Sequence, residues 1–333
     1  MNELLRVADE LPVHEEQDRD LTYFAFAKAA QAPSSASRAS LAAMPEVLGG
    51  RYRIERLLGA GGMGLVYRAR DLLTEQFGDP EPYIALKILG EEFAESPDAS
   101  ALLYSEFALV RQLRHDNVLR AHTFEVDTDC QRAFFTMELM HGLTLDKLLC
   151  ERPLGIAWQE LCTIALPMLD ALAHAHAQGV LHGDMKPSNV MVSEEGIRLF
   201  DFGLGQADER VLPGLPHVSR ERFNAWTPGY AAPELLDGEP LTTRADIYGV
   251  ACVIYELAGG KHPFRRLPSN QARDAQLEGE LHAPMHLPRR CWPALKTALT
   301  FDPAQRTITA QELRDALDAP PSWLKRLTGQ HNG

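Results

Sequence analysis

The chain has 333 residues, 45% of them hydrophobic and 24% charged, with a formal net charge of −13. That length accommodates two lobes or domains, and the composition is ordinary for a globular protein. The acidic balance argues against a nucleic-acid binder, which normally presents a basic stripe to the phosphate backbone.

Residues 1–50 stand apart. The first part carries Glu3, Asp9, Glu10, Glu15 and Glu16, with no basic-then-apolar run of the secretory kind. An Ala- and Ser-rich part follows, including Pro33-Ser34-Ser35-Ala36-Ser37. Apolar groups recur at no fixed period, so a mostly disordered leader is expected, with Leu21 to Ala30 a short helix candidate.

Order is expected from Arg51. Tyr52, Ile54 and Leu57-Leu58 read as a strand leading into glycines, and Leu65-Val66-Tyr67 as the return strand of a hairpin. Tyr83 to Leu89 reads as a third strand, with Ala85, Lys87 and Leu89 on one face. Ser96-Pro97-Asp98 is a helix start: a capping hydroxyl, proline at the first helical position and an acid in the first turn. That helix is expected to run to Leu113. Phe134 to Leu139 reads as an apolar strand. A helix is expected over Leu161 to Gln178, closed by Gly179, and another from about Asp246. From Pro284 short helical stretches alternate with prolines. Strands dominate the early half and helices the later half, which implies an α+β chain with a small sheet lobe and a larger helical lobe.

The 5 cysteines are scattered, without a Cys-x-x-Cys pair, and read as reduced thiols. No stretch approaches the roughly 20 apolar residues that span a bilayer. Ile247 to Ala258, the longest candidate, is too short and too polar. A cytoplasmic protein with no membrane span is expected.

Gly59-Ala60-Gly61-Gly62-Met63-Gly64 fits G-x-G-x-x-G. Lacking side chains, such glycines let backbone amides close over an anionic phosphate. Alone, the pattern also suits a plain hairpin turn. A dinucleotide fingerprint needs a helix after the glycines, whereas Leu65-Val66-Tyr67 favours a strand and hence a hairpin flap.

The densest cluster of chemistry is His182-Gly183-Asp184-Met185-Lys186-Pro187-Ser188-Asn189, followed by Asp201-Phe202-Gly203. Phosphoryl transfer needs an acceptor for a hydroxyl proton, a cation near the moving group and oxygen ligands for Mg²⁺. Lone Asp or Asn loop residues are usually turn or cap residues. The joint spacing D-x-K-P-x-N, then D-F-G, makes that unattractive here.

These motifs resemble those of protein kinases, in particular the bacterial serine/threonine kinases related to eukaryotic ones. The resemblance covers most of the chain. It implies a bilobal kinase-like fold over residues 51–318, with an N-lobe over 51–140 containing one key helix, a helical C-lobe over 141–318 and a tail over 319–333. It implies that Asp184 orients the acceptor hydroxyl, that Lys186 neutralises the transferred phosphoryl, and that Asn189 and Asp201 hold Mg²⁺, with Mn²⁺ an alternative. It pairs Lys87, in a strand like V-A-I-K, with Glu106. It places Leu58, Val66 and Ala85 above the adenine, Met191 below, Met137 at the back wall and Glu138 to Met140 at the hinge. Thr227 matches a threonine beside the catalytic aspartate and lysine in serine/threonine kinases. Ala232-Pro233-Glu234, Arg306 and Asp246 match structural supports of that family. The expected partners are ATP and proteins with Ser or Thr acceptors, the chain itself included.

One departure stands out. Gly183 occupies the place of the arginine in H-R-D, which in many kinases binds a phosphate on the activation loop. Phosphorylation at Ser219, for instance, is therefore not expected to be the main on-switch. Ser34, Ser35, Ser37 and Ser40 are candidate autophosphorylation sites. His-Gly-Asp also occurs in small-molecule phosphotransferases of kinase-like fold, but those generally lack D-F-G, A-P-E and a lysine matching Lys186. A pseudokinase acting as a binding module usually loses Lys87, Asp184 or Asp201, all present here. The tail sequence Trp323-Leu324-Lys325-Arg326-Leu327 reads as loose and amphipathic.

Overall fold

In the computed structural model, residues 45–60, 64–90, 99–208, 210–212, 214–215 and 226–319 are described. Residues 1–44 of the leader, Gly61 to Met63, the Ser96 helix start, Ser219 and tail residues 320–333 lie outside them. Order begins before the expected Arg51, because Val47 and Leu48 pair with Arg53 and Tyr52 as an edge strand. The first regular element is a short strand, β1 (Val47–Leu48), paired antiparallel with β2 (Tyr52–Ala60). β3 (Gly64–Asp71) returns alongside β2 as the hairpin expected from the glycine-flanked apolar runs. A short helix, α1 (Leu72–Gln76), capped by the Asp71 carboxylate, leads into β4 (Tyr83–Leu89). β5 (Ala121–Asp127) and β6 (Arg132–Met137) complete a six-stranded sheet of order β1-β2-β3-β4-β6-β5.

The sheet curls. The Gly49 amide, after β1, donates to Asp127 Oδ2 at 2.7 Å, joining strands at opposite ends of the order. Period-2 alternation sorts the apolar side chains into two clusters. Leu86 and Ile88 of β4 join Leu48, Tyr52, Tyr67, Ala69 and Phe134. Ala85 faces the other way, with Leu58, Val66, Phe135 and Met137. α2 (Ala99–Gln112) covers this second face through Leu103 and Phe107. β6 starts and ends two residues before the strand expected over Phe134–Leu139. Met140 is apolar because it packs into the same cluster after the chain has left the sheet.

β7 (Leu143–Thr144) and α3 (Leu145–Glu151) open the helical lobe. Its centre is α4 (Trp158–Ala177) and α6 (Thr243–Gly259), separated by β8 (Val180–Leu181), β9 (Val190–Ser193), β10 (Gly196–Leu199), β11 (Gln206–Ala207) and α5 (Pro233–Leu236). α4 begins at Trp158, ahead of the expected Leu161; its cap, Ala157, has no hydrogen-bonding side chain to signal the start. α6 begins at Thr243, ahead of Asp246, because Thr242 Oγ1 accepts from the Ala245 amide. α7 (Ser269–Asp274), α8 (Trp292–Ala298) and α9 (Ala310–Asp318) follow. The apolar run Ile247–Ala258 is the buried heart of this lobe. Among the described residues no helix is long and apolar enough to cross a membrane.

Candidate active site

Lys87 reaches the site from β4, flanked by apolar neighbours that leave its ammonium little water. An isolated charge there would be costly, so it needs partners. Glu106 of α2 accepts from Lys87 Nζ at 2.6 Å, and Asp201 Oδ1 lies 3.1 Å from the same nitrogen. Burial opposes the charge on Lys87, but Asp201 and Glu106 together hold its pKa above the ordinary value. Burial likewise raises the Asp201 carboxyl, and Lys87 and Lys186 outweigh it, so Asp201 stays ionised. Asp201 also sits at φ +64, a left-handed conformation that a non-glycine residue seldom adopts.

A second constellation forms in the loop between β8 and β9. Lys186 Nζ lies 2.5 Å from Asp184 Oδ2 and donates to Thr227 Oγ1 at 3.1 Å. Thr227 Oγ1 donates in turn to Asp184 Oδ1 at 3.1 Å. Asn189 Nδ2 donates to the Asp184 carbonyl at 2.8 Å and to its Oδ2 at 3.2 Å. With its nitrogen committed to Asp184, the Asn189 side-chain oxygen is the end left for a cation. A carboxylate and an amide oxygen are the donors that a hard divalent ion prefers, so Asp201 and Asn189 suit Mg²⁺.

The loop is held from beneath. Asp246, at the start of α6, accepts from the His182 amide at 2.9 Å and the Gly183 amide at 2.8 Å. His176 Nε2 lies 2.9 Å from its Oδ2. Burial pushes the Asp246 carboxyl up, but His176, His182 and the Gly183 amide bring it below its ordinary value. His182 Nδ1 accepts from the Asp184 amide at 3.1 Å, so the ring proton sits on Nε2 and is donated to the Phe200 carbonyl at 3.1 Å. Gly183 has φ +82, and a Cβ there would lie 2.5 Å from the Leu204 carbonyl oxygen. Glycine fits this backbone without strain; any side chain meets fixed main chain.

The apolar side chains chosen for a nucleotide base converge. Leu58, Val66, Ala85, Met137, Met140 and Met191 belong to one buried cluster, roofed by β2 to β4 and floored by β9. Gly59 and Gly64 are buried ends of β2 and β3, where the flap begins; Gly61 and Gly62 lie outside the described residues. At Gly64 a side chain would collide with the Ile88 carbonyl. The Glu138 amide donates to the Arg120 carbonyl at 3.0 Å, and its carboxylate accepts from the Arg120 amide at 2.8 Å. Its carbonyl is therefore the Glu138 group left for a base edge.

The sequence of residues 52–317 matches the family model described as a protein kinase domain. The chain belongs to the protein kinase domain family. The serine/threonine-protein kinase PkaA of Streptomyces coelicolor is 32% identical over 269 residues, covering 78% of this chain and 48% of the relative. The serine/threonine-protein kinase pkn3 of Myxococcus xanthus is 30% identical over 289 residues, covering 83% of this chain and 51% of the relative. The chain thus spans about half the length of these curated relatives. The crystal structure of the Mycobacterium tuberculosis PknI kinase domain superposes with a TM-score of 0.60 at 26% identity, over 83% of this chain and 98% of that one. The kinase-domain family as a class uses ATP and a divalent metal.

Other parts of this kinase domain escaped the sequence reading. The ring of His182 packs against Phe202 at a centroid distance of 4.5 Å, which locks the two motifs together. His176 as a partner of Asp246 carried no signal, because the contact spans α4 to α6. The basic turn around Arg265 and Arg266, beside Gly229, was also missed. Its left-handed backbone, φ +56 and +58, is invisible in a sequence without glycine.

Proposed function

We propose that this kinase domain is a serine/threonine protein kinase, moving the γ-phosphoryl of ATP to protein hydroxyls, its own included. The observation that carries this reading is the triangle of Asp184, Lys186 and Thr227, all within 3.1 Å contacts of one another. Asp184 takes or orients the acceptor proton. Lys186 stands by the same oxygen with a positive charge for the developing phosphoryl charge. Thr227 fixes both and shapes the place where a hydroxyl enters. Lys87, held by Glu106, grips the nucleotide phosphates, and Leu58, Val66, Ala85, Met137, Met140 and Met191 enclose the base. Asn189 and Asp201 would hold Mg²⁺, or Mn²⁺ in its place; bound, the ion neutralises phosphate charge and fixes the phosphate geometry.

Two other readings are weaker. A small-molecule phosphotransferase has no use for a threonine bridging Asp184 and Lys186 at a protein-acceptor loop. A pseudokinase is disfavoured because Lys87, Glu106, Asp184 and Asp201 are placed with charge-complementary partners and Asn189 is hydrogen-bonded to Asp184. The five cysteines are free thiols, in keeping with a cytoplasmic setting.

The test is incubation of the purified protein with Mg²⁺ and γ-labelled ATP, with a mixture of acidic and basic protein acceptors. Label in phosphoserine and phosphothreonine is the expected outcome, with part of it on the chain itself. Label confined to small molecules, or no transfer at all, would overturn the reading.

A further inference from the structure

The turn after α6, residues 261–268, is stitched to the loop that carries Thr227. The Ser269 amide donates to the Pro228 carbonyl at 3.1 Å, and Ser269 Oγ donates to the Ala231 carbonyl at 2.5 Å. Across the gap, a Cβ on Gly229 would lie 3.5 Å from Arg266 Cα. Arg266 therefore borders Gly229, the second residue after Thr227.

Its guanidinium is held in place. Arg266 NH2 donates to Glu256 Oε1 at 2.7 Å, and the Tyr230 hydroxyl donates to Glu256 Oε2 at 2.5 Å. The Glu256 side chain is 3% exposed, whereas that of Arg266 is 64% exposed. The Arg266 amide donates to His262 Nδ1 at 3.1 Å. Burial drives the His262 pKa down to about 4, so the ring is neutral and accepts that bond across the physiological range. The backbone conformation is costly. Arg265 and Arg266 sit consecutively at φ +56 and +58, where the Cβ of an L-residue crowds the backbone. Glycine would relieve that strain, yet arginine stands at both places. Local strain retained beside an active site points to function.

The nearby charges favour an anion. Glu256 is buried behind Arg266, and Arg265 pairs with Glu280 at 2.8 Å. Lys261 is exposed at the start of the same turn. The exposed Glu280 offsets Arg265, so the outward positive groups of this rim are Arg266, whose partner Glu256 is buried, and Lys261. A guanidinium with one nitrogen anchored offers its remaining donors in a fixed fork, which suits a carboxylate.

We infer that Arg266 is a specificity-determining residue that selects an acidic side chain, Asp or Glu, flanking the phosphorylated hydroxyl of a protein substrate. The inference rests on the kinase reading above. Arg266 contacts a flanking residue of the acceptor, not the reacting atoms.

The test uses peptides with one serine acceptor, in which Glu, Ala or Lys is scanned through the flanking positions. The readout is the ratio of kcat/KM for the Glu peptide over the Ala peptide at each position. The wild-type protein is expected to favour Glu about tenfold at one position, equivalent to about 1.4 kcal/mol. In Arg266→Ala that ratio should fall to about one. Arg266→Gln removes the charge but keeps a donor for Glu256, and gives the same readout should Arg266→Ala fail to fold. A wild-type ratio near one at every position, a preference for Lys, or an unchanged ratio in both variants would overturn the inference while leaving the kinase reading intact. Absence of transfer to any peptide or protein would overturn both.

Discussion

Asp184→Ala is expected to lower kcat by roughly 10²- to 10⁴-fold, the range for loss of a positioned acid–base group. The KM for ATP should move little, because Asp184 contacts Lys186, Thr227 and Asn189 and none of the apolar base-pocket residues. The effect is local for a structural reason. The loop backbone is fixed by Asp246 through the amides of His182 and Gly183, not by the Asp184 side chain. Initial rates of label transfer at saturating ATP measure the loss, and a thermal melt checks that the fold survives. A variant retaining a tenth or more of the wild-type kcat would remove Asp184 from the chemistry.

Arg306→Ala should produce the largest loss of stability of any single substitution considered. Arg306 is fully buried. Its guanidinium donates to Glu234 Oε1 at 2.7 Å and Oε2 at 3.3 Å, and to the carbonyls of Thr300, Arg244 and Phe301. Truncation leaves the buried Glu234 carboxylate unpaired and strands those carbonyls. Breaking such a pair costs about 3–5 kcal/mol, which for a domain of this size lowers the melting temperature by about 10 °C. The Glu234→Ala/Arg306→Ala double variant should lose less than the sum of the two single changes, because it leaves no uncompensated charge. Strict additivity, or a loss below about 1 kcal/mol for Arg306→Ala, would show that the pair does not anchor the acceptor loop to the helical lobe.

The parts of the fold legible in the sequence are those governed by local periodicity and by motif spacing. The β2–β3 hairpin, the strand bearing Lys87 and the two central helices follow from apolar alternation and from glycine placement. Residues far apart in the chain, Lys87, Glu106, Asp184 and Asp201, were paired only through the motif resemblance. The structure brings them together, with Lys87 Nζ bridging Glu106 and Asp201. What local pattern could not reveal is geometry set by other segments. The start of α4 has no capping side chain. The Glu138 amide, expected at the hinge, is taken by the Arg120 carbonyl across the sheet. Gly183 reads as a lost arginine in one dimension; in three it lies in a left-handed turn pressed against the Leu204 carbonyl. Arg265 and Arg266 look like an ordinary basic dipeptide until their φ angles and the Arg266–Glu256 ion pair are known.

The account depends most on Lys87, Asp184 and Asp201 acting on one nucleotide–metal complex. Its most direct test is γ-phosphoryl transfer from ATP to a protein acceptor by Lys87→Ala and Asp201→Ala, followed across a Mg²⁺ titration beside the wild type. The prediction is a wild-type rate that climbs with Mg²⁺ and, in both variants, folded protein with transfer near background at every Mg²⁺ concentration. Either variant working at close to the wild-type rate would contradict it.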